Sequence, residues 1–387
     1  MFADGVPDRL DDGLEVAGMN VSVYNVLGAG DAFLAGFLYG YLRGEPHEAS
    51  ARYANACGAF AVSRLLCSPE FPTLPELTYY LENGSCHRAL REDGRLNHIH
   101  RATTRRPGPR TLMALAIDHR AQLEQMAKRA RAPLERISQF KMLAVDAAAR
   151  VVAKSHTVGM LLDGVYGADA LRYAAQKGLW LARPVEKTGS RPLEFERAHS
   201  LGASLIEWPT GLTVKCLCLF HPDDPLDLRQ AQERELLRVA AVCRTQGREL
   251  LLEIISSKYG ELQEDTTARV LSRVYELDIR PDWWKVEPQP SEGAWQRCAD
   301  VISEQDAYCR GMVVLGLDAQ LEELTRSLRL AAAQPMVRGF AVGRTIFASA
   351  AEAWLAGRIS DQTAVDEMAE RFRALVEVWC SAEGSAQ

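Results

Sequence analysis

Two lysines stand in segments that otherwise read as buried strands. Lys215 lies in Leu-Thr-Val-Lys-Cys-Leu-Cys-Leu-Phe and Lys285 in Trp-Trp-Lys-Val-Glu. Burial penalises the ammonium form, so an apolar strand seldom carries a lysine for structural reasons alone. One reading pairs each lysine with a buried carboxylate, or lets it reach water from a strand start. The other gives a lysine that is neutral often enough to attack a carbonyl and form a Schiff base. Two lysines pointing into one interior are expected to depress each other's pKa by like-charge repulsion. Glu253, in Leu-Leu-Glu-Ile, would then transfer protons, or hold one lysine charged while the other reacts.

The elements that must position these groups follow a rhythm. Short apolar runs recur over Leu112 to Asp118, Val158 to Asp163, Trp180 to Glu186, Val214 to Phe220, Leu250 to Ile255, Trp283 to Glu287, Met312 to Leu317 and Val337 to Gly343. Helical patterns such as Leu226 to Thr245 and Thr266 to Leu277 lie between most of them, and Asp361 to Cys380 reads as a final amphipathic helix. Alternating strands and helices predict parallel βαβ units, and eight of them close into a (β/α)₈ barrel. An open doubly wound sheet is the alternative, disfavoured by the count and by the lack of a Gly-rich dinucleotide turn. In a barrel the reactive groups gather at the C-terminal strand ends. Besides the two lysines and Glu253, those places hold Asp118, Arg120, Asp163, Glu186, Lys187, Glu287, Asp318, Gly343 and Arg344. Asp118 and Asp163 also suit helix caps, and Arg120 could pair with Asp118.

The 387 residues carry a net charge of -6 with 25% charged and 47% hydrophobic residues, which disfavours nucleic-acid binding and excludes a disordered chain. No uninterrupted apolar run reaches about 18 residues, so no membrane span is expected. Nine scattered cysteines and no signal-like leader fit free thiols in a reducing cytoplasm. The eight histidines show no metal-ligand spacing on the strands, and no metal is expected. His119 and His221 read as lone hydrogen-bonded or exposed residues. Residues 87–110 hold seven arginines and end in Arg-Pro-Gly-Pro-Arg, which reads as a basic linker between residues 1–86 and a barrel over 111–387. A basic stretch of this kind could alternatively contact RNA or an anionic surface, although it has no aromatic residues and Glu92 and Asp93 interrupt it.

Seven segments in order resemble the class I tagatose 1,6-bisphosphate aldolase family. They are Leu-Ala-Ile-Asp-His-Arg ending at Arg120, Leu-Leu-Asp-x-x-Tyr-Gly from Asp163, Glu-Lys-Thr-Gly from Glu186, Val-Lys-Cys-Leu with Lys215, Leu-Leu-Glu-Ile with Glu253, Lys-Val-Glu with Lys285, and Gly-Arg-Thr-Ile-Phe from Gly343. The resemblance implies a Schiff-base lysine at Lys285, a second active-site lysine at Lys215 and a catalytic carboxylate at Glu253. Asp118 would join them in catalysis, with Arg120, Asp163, Glu186 and Lys187 around the substrate. Its phosphate would lie near Gly343 and Arg344, where backbone N–H groups and a guanidinium suit such an anion. Asp318, after the seventh strand, departs from what a phosphate site would place there. No cofactor is implied for the barrel.

Near the N-terminus, Asn-Val-Leu-Gly-Ala-Gly-Asp-Ala-Phe opens a helical pattern, and Ala-Asn-Ala-Cys-Gly-Ala follows at Ala54 to Ala59. Together they resemble the ribokinase/PfkB carbohydrate kinase family, although Asn25-Val26-Leu27 replaces the usual Asp-Thr. That resemblance implies a catalytic base at Asp31 and an anion hole over Gly28, Ala29 and Gly30. Fewer than 90 residues precede the linker, so only the closing part of such a kinase is expected, without its activity. ATP and Mg²⁺ would serve only an intact kinase half. A kinase of this kind followed by an aldolase-like barrel resembles the inositol-catabolism fusion of 5-dehydro-2-deoxygluconokinase with 5-dehydro-2-deoxyphosphogluconate aldolase. The expected activity is cleavage of a phosphorylated keto sugar acid, and the expected partners are that small molecule and further copies of the chain. A non-catalytic barrel that binds sugar phosphates or mediates oligomerisation is the rival expectation.

Overall fold

The computed structural model describes residues 13–151, 156–197, 200–317 and 319–383, so Asp318 lies outside the described residues. The chain divides into two compact units, Met1–Pro107 and Gly108–Gln387.

In the first unit lie the helices α1 (Ala29–Leu42), α2 (His47–Ser63), α3 (Leu74–Asn83) and α4 (Gly94–Thr104). Its core is small: Ala32, Ala56, Cys57, Ala61 and Leu77 form one cluster, and Phe60, Leu90 and Leu96 another. The expected linker over 87–110 is largely structured instead. A 3₁₀ turn spans Leu90–Glu92, and Asp93 caps α4 by accepting from the amides of Arg95 at 2.9 Å and Leu96 at 3.0 Å. Leu96 and Ile99, three residues apart, bury the one apolar stripe of a helix whose other faces are polar. The arginine content hid so narrow a stripe.

The second unit is a closed barrel of eight strands in the order β1 to β8, each parallel to its neighbours, with β8 returning to pair with β1. Closure excludes the open sheet. The strands are β1 (Leu112–Ala116), β2 (Thr157–Leu161), β3 (Trp180–Pro184), β4 (Thr213–Leu219), β5 (Leu250–Ile255), β6 (Trp283–Val286), β7 (Met312–Leu315) and β8 (Val337–Val342). The helices between them are α5 (Ala121–Ala130) and α6 (Glu135–Ala149) after β1, then α7 (Ala168–Gln176), α8 (Leu201–Ile206), α9 (Leu226–Thr245), α10 (Thr266–Glu276), α11 (Glu292–Gln305) and α12 (Leu321–Ala332), one after each of β2 to β7. After β8 come α13 (Arg344–Leu355) and α14 (Asp361–Glu383). All eight expected strands are present.

Alternation along each strand sorts the side chains. Met113, Leu115, Leu252, Ile254, Trp284 and Phe340 face the helices and join the large outer core. Leu112, Ala114, Leu161, Leu251, Trp283, Val313 and Ala341 point inward and plug the barrel interior. The Trp283 and Trp180 rings meet edge to face at 6.5 Å within this plug. Two residues beyond Leu251 and Trp283, the same inward face carries Glu253 and Lys285. Among the described residues no helix is long and apolar enough to cross a membrane, and all nine cysteines are free.

Candidate active site

Glu253 on β5 and Lys285 on β6 are register partners, which places both side chains at one height inside the barrel. Lys285 Nζ lies 2.8 Å from Glu253 Oε1, and Lys215 Nζ, reaching up from β4, lies 2.8 Å from Glu253 Oε2. Lys215 also meets Glu186 Oε1 at 2.8 Å and Asp118 Oδ2 at 3.0 Å. Glu186 follows β3, and its second oxygen accepts from the Leu217 amide at 3.2 Å. Arg120 Nη2 stands 3.6 Å from Glu186 Oε1, while its Nη1 donates to the Glu186 carbonyl at 3.1 Å and pairs with Glu196. Arg120 is therefore matched to glutamates rather than to Asp118.

Burial alone would lower the Lys215 pKa, but Asp118, Glu186 and Glu253 together hold it well above the ordinary lysine value. The expected depression by its fellow lysine is thus overturned at Lys215, because three carboxylates outweigh one cation. Burial works to raise Asp118 and Glu253, yet Lys215 and then Lys285 pull both below the usual carboxylate range. Glu186 moves the other way: burial raises it, Asp118 adds to the rise, and Lys215 only partly opposes. It is the carboxylate of this cluster that most readily takes a proton.

Two adjoining cavities open on this cluster, of ≈ 80 and ≈ 150 Å³, and both are lined by His119, Glu253, Lys258, Lys285 and Arg344. Gly316, Gly343 and Thr345 complete one; Asp118, Arg120, Glu186, Thr188 and Lys215 complete the other. His119 Nδ1 is buried, has no hydrogen-bond partner among the described residues, and lies 3.9 Å from Asp118 Oδ1. Burial pushes this imidazole down to about 4, with Lys285, Arg344 and Lys141 adding to the fall against Asp118. Its ring packs edge to face on Phe347 at 5.3 Å. Gly343 makes room for it, since a Cβ there would come within 2.7 Å of His119 Cε1 and would strike the Ala116 carbonyl.

Of the residues expected at the site, Asp118, Arg120, Glu186, Lys215, Glu253, Lys285, Gly343 and Arg344 line the cavities. Asp163 and Lys187 do not. Asp163 is fully buried, pairs with Lys141 of α6 and caps the amides of Val165 and Tyr166, each at 2.8 Å. Lys187 is exposed and pairs with Glu194 at 2.7 Å. Gly28, Ala29, Gly30 and Asp31 stand at the start of α1 in the other unit, where no side chain caps the helix. His119, Lys258 and Lys141 were missed as site components. The signal for Lys141 was its place among Ile137, Phe140 and Ala144 on the buried face of α6. Among the described residues no group of three or more His, Cys, Asp or Glu side chains is arranged to hold a metal ion.

The fold is an aldolase-like (β/α)₈ barrel, preceded by a segment, residues 9–74, that matches the pfkB family of carbohydrate kinases. The chain belongs to the family described as uncharacterized protein conserved in bacteria (DUF2090), which residues 76–383 match. Tagatose 1,6-diphosphate aldolase of Listeria monocytogenes serotype 4a (strain HCC23) is 29% identical over 151 residues, covering 38% of this chain and 43% of that protein. A 5-dehydro-2-deoxygluconokinase of Lacticaseibacillus casei is 38% identical over 60 residues, covering 16% of this chain and 18% of that protein. The chain thus spans less than half the length of the curated relatives it matches. Fructose-bisphosphate aldolase from Plasmodium falciparum, crystallised with TRAP and a small-molecule inhibitor, superposes with a TM-score of 0.54 over 76% of this chain and 96% of that one. At 13% identity that likeness concerns the fold.

Proposed function

We propose that the barrel is a class I aldolase that cleaves a phosphorylated keto sugar acid. The observation that carries this reading is Glu253 bridging two buried lysines, at 2.8 Å each, at the C-terminal mouth of the barrel. Lys215 has three carboxylates around it and keeps its proton; Lys285 has one, which it shares, so Lys285 is the nucleophile. Its amine adds to the ketone, and a proton relayed through Glu253 lets the hydroxyl leave as water, giving an iminium. Glu253, held ionised by the flanking cations, takes the proton of the hydroxyl on the carbon to be released. The C–C bond breaks, its electron pair flows to the iminium to leave an enamine, and the hydroxyl carbon departs as an aldehyde. Glu253 then returns that proton to the enamine carbon, and water hydrolyses the resulting iminium to free the ketone and Lys285. Lys215 stabilises the charge that builds beside Glu253. The phosphate would be held by Gly343, Arg344 and the first amides of α13.

The neighbouring pfkB fragment, with relatives that include 5-dehydro-2-deoxygluconokinases, favours 5-dehydro-2-deoxy-6-phosphogluconate of myo-inositol catabolism as the substrate. In this reading the fragment itself transfers no phosphate, because it corresponds to under a quarter of those kinases. The test is borohydride trapping with the sugar phosphate, followed by peptide mapping. A reduced adduct on Lys285 is expected. An adduct on Lys215 or Lys187 overturns the assignment of the nucleophile, and tight binding without any adduct would establish a non-catalytic barrel.

A further inference from the structure

Five cationic side chains line the two cavities: Arg120, Lys215, Lys258, Lys285 and Arg344. Lys215 meets Asp118, Glu186 and Glu253; Lys285 meets Glu253; Arg120 meets Glu186 and Glu196. Arg344 heads α13 beside Gly343 and Thr345, at the end suited to a phosphate. Lys258 is different. It lines both cavities and makes no ion pair or hydrogen bond among the described residues.

The turn that carries it is built in place. Glu287, buried two residues beyond Lys285, accepts from the amides of Ser256 at 2.7 Å and Ser257 at 3.1 Å, and from the Ser257 hydroxyl. The Ser256 hydroxyl donates to the Phe220 carbonyl at 2.7 Å, and the Tyr259 amide donates to the Ser256 carbonyl at 3.0 Å. The Arg191 guanidinium lies over the Tyr259 ring at 3.7 Å. At Gly260 the His221 ring occupies the space a side chain would need. An exposed ammonium thus stands on a backbone tied to β6, the strand that holds Lys285. Glu287 ties the backbone of that turn to the residue two beyond Lys285.

We infer that Lys258 receives the carboxylate of the substrate, and so selects keto sugar acids over neutral ketoses. This rests on the aldolase reading above. A carboxylate fits better than a second phosphate on chemical grounds. A phosphate dianion calls for several donors, such as a guanidinium together with helix-terminal amides. Lys258 offers one compact ammonium, and the next helix, α10, begins only at Thr266. After C–C cleavage the released piece would be an aldehyde acid, with its carboxylate still at Lys258.

The reverse reaction isolates this contact. Dihydroxyacetone phosphate is condensed with 3-oxopropanoate, with neutral propanal and with glyceraldehyde 3-phosphate, using the whole chain and its Lys258→Gln, Lys258→Arg and Lys258→Glu variants. The expected result is a fall of about tenfold or more in the ratio of kcat/KM for 3-oxopropanoate to that for propanal in Lys258→Gln, the scale of one hydrogen bond to a charged group. The loss should lie mainly in KM, be partly rescued by Lys258→Arg and deepen in Lys258→Glu. An unchanged ratio overturns the inference. So does a loss confined to glyceraldehyde 3-phosphate, which would make Lys258 a phosphate contact. Borohydride trapping with dihydroxyacetone phosphate accompanies each variant. If Lys285 is labelled while the ratio does not move, the Lys258 assignment alone fails. If the unaltered chain shows no adduct, the aldolase reading fails and this inference with it.

Discussion

Glu253 and Lys285 are paired across adjacent parallel strands and their side chains meet at 2.8 Å, while the other oxygen of the same carboxylate holds Lys215. One carboxylate thereby contacts both the proposed nucleophile and the proposed permanent cation. Glu253→Gln keeps the shape and removes the charge. Turnover should fall by about 10² to 10⁴-fold, the usual range for a general acid–base group, while borohydride trapping on Lys285 persists. Single-turnover kinetics with mass-spectrometric detection of the adduct would separate the two.

Lys215 neutralises a cluster rather than a single partner. In Lys215→Met, Asp118, Glu186 and Glu253 would face one another with Lys285 beside Glu253 and Arg120 beside Glu186 as the remaining cations. Removing one side of a buried ion pair costs roughly 3–5 kcal/mol. Asp118 and Glu253 are held low in the native state, which adds stability above their unfolded pKa that is lost as pH falls through the native one. Without Lys215 that contribution shrinks, so the variant should unfold at a higher pH in an acid titration followed by circular dichroism.

His119 gives a dependence on pH that can be isolated. Its native value is about 4 against an ordinary 6.5, so between those limits the unfolded chain binds a proton that the native chain does not. Stability should therefore drop as pH falls through that window, by on the order of 3 kcal/mol from this residue. Denaturant unfolding of the unaltered chain and of His119→Gln at a series of pH values should show the difference between them changing across the window and flat above it.

Lys141 is a positioning residue. Its buried ammonium donates to the carbonyls of Ile117 at 2.8 Å and His119 at 3.0 Å, on either side of Asp118, and pairs with Asp163. Lys141→Met should cost roughly 3–5 kcal/mol through the uncompensated Asp163 carboxylate. Adding Asp163→Asn keeps an acceptor for the Val165 and Tyr166 amides and should restore part of that stability. It should not restore turnover if the Asp118 backbone depends on the Lys141 clamp. Urea midpoints and kcat measured on the same samples would check both statements.

The strands were legible because apolar runs that end in polar residues mark inward and outward faces. Lys215, Glu253 and Lys285 were conspicuous as charges set within such runs. Helix α4 was not legible, since Leu96 and Ile99 are the sparse apolar residues in a stretch dominated by arginine. Asp163 and Asp118 look alike in sequence, each closing a strand. Only packing separates them, because Lys141 of α6 draws Asp163 away from the cavities while Lys215 meets Asp118. Lys258 carries no local signal. What gives it meaning is that it makes no ion pair among the described residues, together with the tie from Glu287 to its turn.

The seam where β8 meets β1 has a consequence in time. His119 follows the first strand to be synthesised, Gly343 and Arg344 follow the last, and the His119 ring rests where Gly343 leaves space. One wall of the cavities is this junction itself. Lys215, Glu253 and Lys285 lie on neighbouring strands that are all made before β8, yet the cavities lack one wall until the eighth strand docks against the first.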